Sequence, residues 1–349
     1  LHRAGRWFLH SGIQETNGGV ARYHRVDQQQ NAPVSTEITG YAASTFACLF
    51  RCTRDTTYLE AARRTAVFLT DRAWDAGQNC FPFECSPGSP AYFFDSGIIV
   101  RGLLAVWRLT SDPVLLDIAT ACGRSMARDF LTAGAIHPII SLPDRTPWPY
   151  ERRWSREPGC YQLKSALAWR DLAGVTGDEG FRELWNQALG FAISTHEAFL
   201  PGSVDEEKVM DRLHAYCYFL EALLSEPNCG AARAALQSGI QQVSVLLREI
   251  APRFARSDVY SQLLRVRLMA GALGIAPLDQ ANADEEAAAI PAFQYSGEAL
   301  RLRGGFSFGR KDGSLMPFAN PVSTAFSLQA LHWFGAHRSG AALRLDDLI

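Results

Sequence analysis

Residues 35–52 read STEITGYAASTFACLFRC. Ser35, Thr36 and Glu37 open the stretch with hydroxyls and a carboxylate, and no charge follows until Arg51. A helix on a protein surface carries a polar face. Here small residues, hydroxyls and aromatics occupy every face. That pattern predicts a helix enclosed by other helices, with Thr36 as its N-cap. After a short break, TYLEAARRTAVFLTDRA at 57–73 sets Tyr58, Leu59, Ala62, Ala66 and Leu69 on one stripe. Glu60, Arg63, Arg64 and Asp71 form the other face, as expected of an amphipathic outer helix.

The same pair recurs along the chain. Enclosed segments at 95–109, 161–175 and 211–224 are followed by outer ones at 113–130, 179–196 and 230–250. A fifth enclosed segment at 258–274 has a less regular Ala-rich partner at 282–290. A sixth at 321–334 has the N-terminal helix at 3–10 as its candidate partner, which would close a ring. A turn and a short apolar extended piece precede each enclosed segment, at 18–20, 80–82, 134–136, 199–201, 252–254 and 304–306. A constant order of parts at irregular spacing is the mark of a closed or stacked repeat. Enclosed-to-outer connections are a few residues long. Outer-to-enclosed ones are expected to run about 15 to 30 residues, beyond ordinary structural loops. The long loops therefore gather on one face, at the enclosed-helix N-termini, and functional residues are sought there.

Composition narrows the classes. The chain has 349 residues, 47% of them hydrophobic and 20% charged, with a formal net charge of -2. The near-neutral balance argues against a nucleic-acid or anionic-membrane partner. No apolar run is long enough to span a bilayer and no signal peptide is visible, so a cytoplasmic location is expected. Eight scattered cysteines without a CxxC read as buried thiols rather than a disulfide frame. Cys48 and Cys52 lie one helical turn apart without a neighbouring histidine, and no metal or other cofactor is expected.

Carboxylates recur where enclosed segments begin: Glu37, Asp95, Asp211 and Asp258. Two of them facing one pocket would supply the acid and the base or nucleophile that glycosidic cleavage needs. A separation of about 5 Å goes with retention and about 6.5–9.5 Å with inversion. The competing reading is helix capping and dipole pairing. Glu37 and Asp95 form the leading catalytic pair, with Asp211 and His214 as alternates. His214 shares a helix face with Tyr218 and Glu221, where a hydrogen-bonded core histidine is equally expected. Arg101 and Arg108 interrupt an apolar helix; structural pairing with a carboxylate is expected for Arg108, and Arg101 is left open. The longest loop, HPIISLPDRTPWPYERRWSREPGC at 137–160, mixes Trp148, Tyr150 and Trp154 with Arg145, Arg152, Arg153 and Arg156. Aromatic faces stack on sugar rings and guanidinium forks bind carboxylates or sulfates, so the loop is read as a lid over an acidic saccharide. The opposing reading pins its aromatics to the body and leaves its arginines solvated. Tyr41, Trp148, Tyr150, Arg152, Trp154, Tyr161 and Asn320 are the substrate-binding candidates. Tyr23, His24 and Arg25, and Phe306, Phe308, Arg310 and Lys311, are weaker signals of the same kind.

Six hairpins, each introduced by a GGF-like turn, resemble the (α/α)6 toroids of the six-hairpin glycosidase-like superfamily over almost the whole chain. TEITGY (36–41), YLEAARRTAVFL (58–69), FDSGIIVRGLLAVWRLTSD (94–112) and DRLHAYCYFLEALL (211–224) look like segments of bacterial toroid proteins found near polysaccharide functions. The resemblance implies an all-α (α/α)6 toroid forming one domain over residues 1–349. It also implies a carbohydrate-active protein, foremost a glycoside hydrolase acting on an oligo- or polysaccharide. A sugar epimerase or lyase is the second expectation, and a non-catalytic saccharide-binding or scaffold protein in polysaccharide assembly the third. The aspartate-rich DxDD of terpene cyclases is absent. Asp211, His214 and Cys217 do not make the zinc set of prenyltransferases or lanthionine cyclases. His214 and His332 are possible counterparts of the cavity histidines of acylglucosamine epimerases.

Overall fold

The computed structural model describes residues 1–132 and 135–349, so Gly134 of the turn expected at 134–136 lies outside the described residues. Among them are twelve α-helices: α1 His2–His10, α2 Thr36–Thr53, α3 Thr56–Phe68, α4 Phe93–Thr110, α5 Pro113–Phe130, α6 Leu163–Thr176, α7 Glu179–Thr195, α8 Glu206–Leu223, α9 Gly230–Ile250, α10 Ser257–Ala272, α11 Gln280–Ala289 and α12 Pro321–Arg338. The described strands are only two or three residues long. The protein is all-α, and no described helix is long and apolar enough to cross a membrane. The chain divides into two compact units. The first comprises Gln14–Arg22 and Pro33–Ser194 and holds α2 to α7; the second comprises Leu1–Ile13, Tyr23–Ala32 and Thr195–Ile349 and holds α8 to α12 with α1.

In the first unit the apolar helices α2, α4 and α6 pack side by side, and their lack of bulk is what lets them. A methyl group on Gly40 would meet Ile99 Cα at 2.9 Å, and one on Gly102 would meet the Gly40 carbonyl oxygen at 2.5 Å. One on Gly97 would come within 2.3 Å of the Ser165 carbonyl oxygen. The Ser165 hydroxyl donates to the Phe94 carbonyl at 2.6 Å across the same contact. Gly40, Gly97, Ile99 and Ser165 lie in the first two turns of their helices and Gly102 in the third turn of α4, so the three helices run parallel. α3 packs on α2 and α5 on α4 with their apolar stripes, and α3 runs on as a π-helical turn at Leu69–Ala73.

The N-cap of α2 is Ser35, not Thr36. Ser35 has the extended backbone a cap requires and its hydroxyl accepts from Ile38 N at 3.4 Å. Thr36 instead donates its hydroxyl to the Pro82 carbonyl at 2.9 Å. Four residues beyond the cap, the Thr39 hydroxyl donates to the Ser35 carbonyl and accepts from Val20 N at 2.9 Å. This ties the Gly18–Gly19 turn to the helix start. Gly18 adopts φ +94, and a side chain there would collide with the Arg64 carbonyl oxygen at 2.1 Å.

The second unit repeats the device with different residues. Gly304 has φ +96, Phe306 N donates to Thr324 Oγ1 at 2.9 Å, and the Thr324 hydroxyl donates to the carbonyl of Asn320, the cap of α12. α8, α10 and α12 run parallel here. Ser261 and Ser327 share a 2.9 Å hydrogen bond near their starts. Further along, at the middle of α10 and α12 and near the end of α8, the fully buried Arg265 pairs with Glu221 and donates to Gln329 Oε1 at 2.9 Å. α1 packs on α12, the place expected of its outer partner.

Four expectations change. α8 begins at Glu206 rather than 211, because Asp205 caps it by accepting from Glu207 N and Lys208 N; Asp211 therefore sits in the second turn. The connections at 196–205 and 251–256 are shorter than expected. Arg108 is exposed in the last turn of α4, where its charge faces the carbonyl end of the helix, and does not enter a buried pair. His332 lies in the C-terminal half of α12, away from the helix starts.

Candidate active site

Glu37 and Asp95 stand in the first turns of α2 and α4. Neither is spent on capping: Ser35 caps α2, and α4 has no side-chain cap. Asp95 is 4% exposed and its Oδ2 has no hydrogen-bond partner. Burial, reinforced by the charge of Glu37, holds its carboxyl well above the usual range against the pull of Arg22. Burial likewise pushes Glu37 up to about 7, again with Arg22 opposing. Part of the Glu37 side chain nevertheless stays open to solvent. Two carboxyls that feel each other in a low-dielectric surrounding cannot both ionise readily, so the pair retains a proton at neutral pH.

Arg22, at the end of the first Gly-Gly turn segment, is the cation of this cluster. Its Nη2 meets Glu84 Oε1 at 2.5 Å and its guanidinium lies 4.6 Å from the Phe83 ring centre. Phe83 in turn packs on Tyr92 at 5.0 Å. Burial and the Asp95 charge raise the Tyr92 phenol, with Arg156 and Arg153 opposing. Burial, Glu157, Cys160 and Asp95 raise Tyr161. Its hydroxyl donates to the Glu157 carbonyl at 3.2 Å, and its ring meets Phe94 at 6.1 Å and Trp154 edge-on at 5.2 Å. Tyr41 is buried one turn beyond Glu37.

The long loop divides in two. Trp154, Arg153 and Arg156 belong to the Asp95 neighbourhood through Tyr161 and Tyr92. Trp148 is fixed by an Nε1–H bond to Ser141 Oγ at 3.0 Å, with Arg156 against its ring. Tyr150 is half exposed and its hydroxyl meets His137 Nδ1 at 2.7 Å. Arg152 is exposed. Arg145 pairs with the buried Asp129 and Arg101 with Asp171.

The alternate residues form a separate cluster in the second unit. Arg256, directly before α10, makes two bonds to Asp258 at 2.9 and 2.6 Å and one to Asp211 at 2.7 Å. Burial works against the Asp258 charge, but Arg256 and His214 outweigh it and hold the carboxyl below its usual range. His214 Nδ1 lies 2.8 Å from Gln262 Oε1 and 3.5 Å from Asp258 Oδ2. Two oxygen acceptors place the proton on Nδ1 and make Nε2 the basic nitrogen. Burial, then Arg256, push the imidazole down to about 4, so it is neutral at ordinary pH. Its ring meets Tyr218 edge-on at 4.5 Å. Asn320 caps α12 through Ser323 N at 3.0 Å. Glu221 is occupied by Arg265. Among the described residues no three His, Cys, Asp or Glu side chains are arranged to hold a metal ion.

Arg22, Arg256 and Gln262 were not legible as site residues. Arg256 stands two residues before Asp258, a spacing that a fork-shaped cation would use, and Arg22 is the first charge after the turn at 18–20.

No family model and no curated protein matches this chain. Solved structures do. A cellobiose 2-epimerase from Spirochaeta thermophila superposes with a TM-score of 0.74 at 15% identity, covering 96% of both chains. An unsaturated glucuronyl hydrolase from Bacillus sp. GL1 gives 0.67 at 13% identity over 95% of both. A family 76 glycoside hydrolase from a bovine Bacteroides thetaiotaomicron strain gives 0.65 at 10% identity, covering 95% of this chain and 76% of the other. The likeness shows the fold: an all-α (α/α)6 toroid.

Proposed function

We propose that the protein is a carbohydrate-active enzyme that hydrolyses a glycosidic bond of an oligo- or polysaccharide, with Asp95 and Glu37 as its carboxyl pair. The observation that carries this reading is the buried pair itself, in which neither group caps a helix and Asp95 Oδ2 lacks a partner. Asp95, held in its acid form, protonates the glycosidic oxygen. Glu37, pushed up to about 7 and still reached by solvent, takes the complementary role of base towards water or of nucleophile. Arg22 steadies the carboxylate that remains once the proton has left. Trp154 offers aromatic surface for a sugar ring, and Arg153 and Arg156, with Arg152 at the rim, favour an acidic saccharide. The activities of the superposed enzymes, all on sugars, are compatible with this class of substrate, and one single-domain toroid serves it. Glu37→Gln and Asp95→Asn should each lower turnover of a responsive oligosaccharide by about 10²–10⁴, the usual worth of a positioned acid or base. Unchanged turnover in both would remove the assignment.

One observation favours a second reading. His214 is a neutral base whose Nδ1 is held by Gln262 and Asp258. Such a group suits proton abstraction next to a carbonyl, the step of an epimerase. His214→Asn would then abolish interconversion of a reducing sugar, and Glu37→Gln would not.

A further inference from the structure

Arg22 divides one charge between two duties. It opposes the burial of both carboxyls of the pair, yet its Nη2 is bound at 2.5 Å to Oε1 of Glu84, a carboxylate to which the proposed chemistry gives no part. The Arg22 and Glu84 side chains are each 32% exposed, so this is no freely solvated surface pair of little worth.

The main chain fixes both partners. Val20 and Ala21 pair with Ser35 and Val34, and Arg22 N donates to the Pro33 carbonyl at 3.1 Å. Arg22 is thereby held beside the chain that enters α2. Glu84 is held from the other side. Thr36 Oγ1 lies 2.9 Å from the Pro82 carbonyl oxygen and 3.2 Å from that of Phe83. Pro82 bridges to Ala91, Phe83 N donates to the Pro90 carbonyl at 2.8 Å, and Glu84 N donates to Ser89 Oγ at 2.9 Å. This hairpin runs from the start of α2 to the start of α4, the helices that carry Glu37 and Asp95. Its Phe83 ring lies against the Arg22 guanidinium and adds a cation–π contact on the Glu84 side.

We propose that Glu84 is a positioning residue: by clasping Arg22 it keeps the guanidinium from closing on Glu37 or Asp95 as an ion-pair partner. A guanidinium without a counter-charge would take the nearest carboxyl and hold it ionised. Among the described residues Arg22 makes its ion pair with Glu84 and with neither member of the pair, and Asp95 Oδ2 is left without a partner. The other charged and titratable groups around the pair do not change with Glu84. They are Arg153, Arg156 and Glu157 of the long loop, Tyr92 and Tyr161, and Lys164, buried in the first turn of α6, which packs on α4.

The test is a carbon-13 NMR titration of the glutamate carboxyl carbons, the Glu37 signal being identified by its loss in Glu37→Gln. The wild-type midpoint is expected at about 7. In Glu84→Gln, Arg22 turns to the pair and the midpoint falls by about one unit or more, the usual effect of an opposite charge at ion-pair distance. In an Arg22→Gln background the same substitution moves the midpoint hardly at all. An unmoved midpoint in Glu84→Gln makes Glu84 a loop anchor only and overturns the proposal. A fall that persists without Arg22 also overturns it, since Glu84 would then act by its own field. Should Glu84→Gln not fold, nitrogen-15 NMR of the wild-type Arg22 guanidinium decides. Separate Nη signals at neutral pH are expected of a clasped fork, and one averaged signal overturns the clasp. The effect on turnover, a move of both limbs of the pH profile to lower pH in Glu84→Gln, rests on the hydrolase reading above; the titration does not. A shifted midpoint in a protein that cleaves no glycoside refutes the hydrolase alone, and cleavage with an unmoved midpoint refutes the clasp alone.

Discussion

Glu37 holds its proton up to about 7, whereas an unfolded glutamate releases it near 4.5. Between those values the folded chain binds more protons than the unfolded one, so this group's contribution to stability falls as pH rises. Glu37→Gln removes the charge and with it that loss. The variant should melt higher than wild type at pH 8, by about 2–4 °C for each kcal/mol recovered, and close to wild type at pH 4. Equal melting temperatures at pH 8 would mean that the carboxylate is not held in a costly place. His214 has the opposite sense. Its depressed value makes the folded chain the poorer proton binder between about 4 and the usual 6.5, so stability there falls as pH drops. The place of Glu37 and Asp95 at the starts of enclosed helices was legible because a carboxylate at the mouth of a charge-free run has no solvent face to explain it. Asp211 misled for the reason that Asp205 supplies the cap, and an acidic run hides which member begins the helix.

At the scale of elements, the enclosed helices owe their close approach to glycine. Gly97→Ala would set a methyl 2.3 Å from the Ser165 carbonyl oxygen, and Gly102→Ala would set one 2.5 Å from that of Gly40. Backbone cannot yield as a side-chain tip can, so each should cost at least about 1–3 kcal/mol by chemical denaturation. Helix-forming propensity alone predicts a gain from Gly→Ala. A gain in either variant would contradict the packing described. The alternation of enclosed and outer helices was plain in the hydrophobic patterns, and α5 and α9 match their sequence-derived bounds. The role of the hydroxyl four residues into α2 and α12 was not plain, because Thr39 and Thr324 read as ordinary small residues until their turns are placed beside them.

For the whole molecule, the single-domain proposal has a thermodynamic form. Arg265→Met, in the second unit, strips the buried Glu221 carboxylate of its guanidinium and should cost about 3–5 kcal/mol. Gly97→Ala acts in the first unit. If the chain unfolds as one domain, calorimetry records one transition that both variants lower; two transitions that shift independently would contradict it. The fold was legible in the order of parts repeated along the chain. The candidate site was less so, because raised carboxyls and a neutral imidazole are made by burial and by partners distant in sequence, such as Arg22 for Glu37 and Arg256 for Asp258.

Proton NMR of wild-type protein acting on a panel of neutral and acidic oligosaccharides tests the central claim most directly. The account predicts loss of an internal anomeric signal with the growth of new reducing ends, absent in Asp95→Asn. A sugar of unchanged chain length with one stereocentre altered, or cleavage that survives in Asp95→Asn, would contradict it.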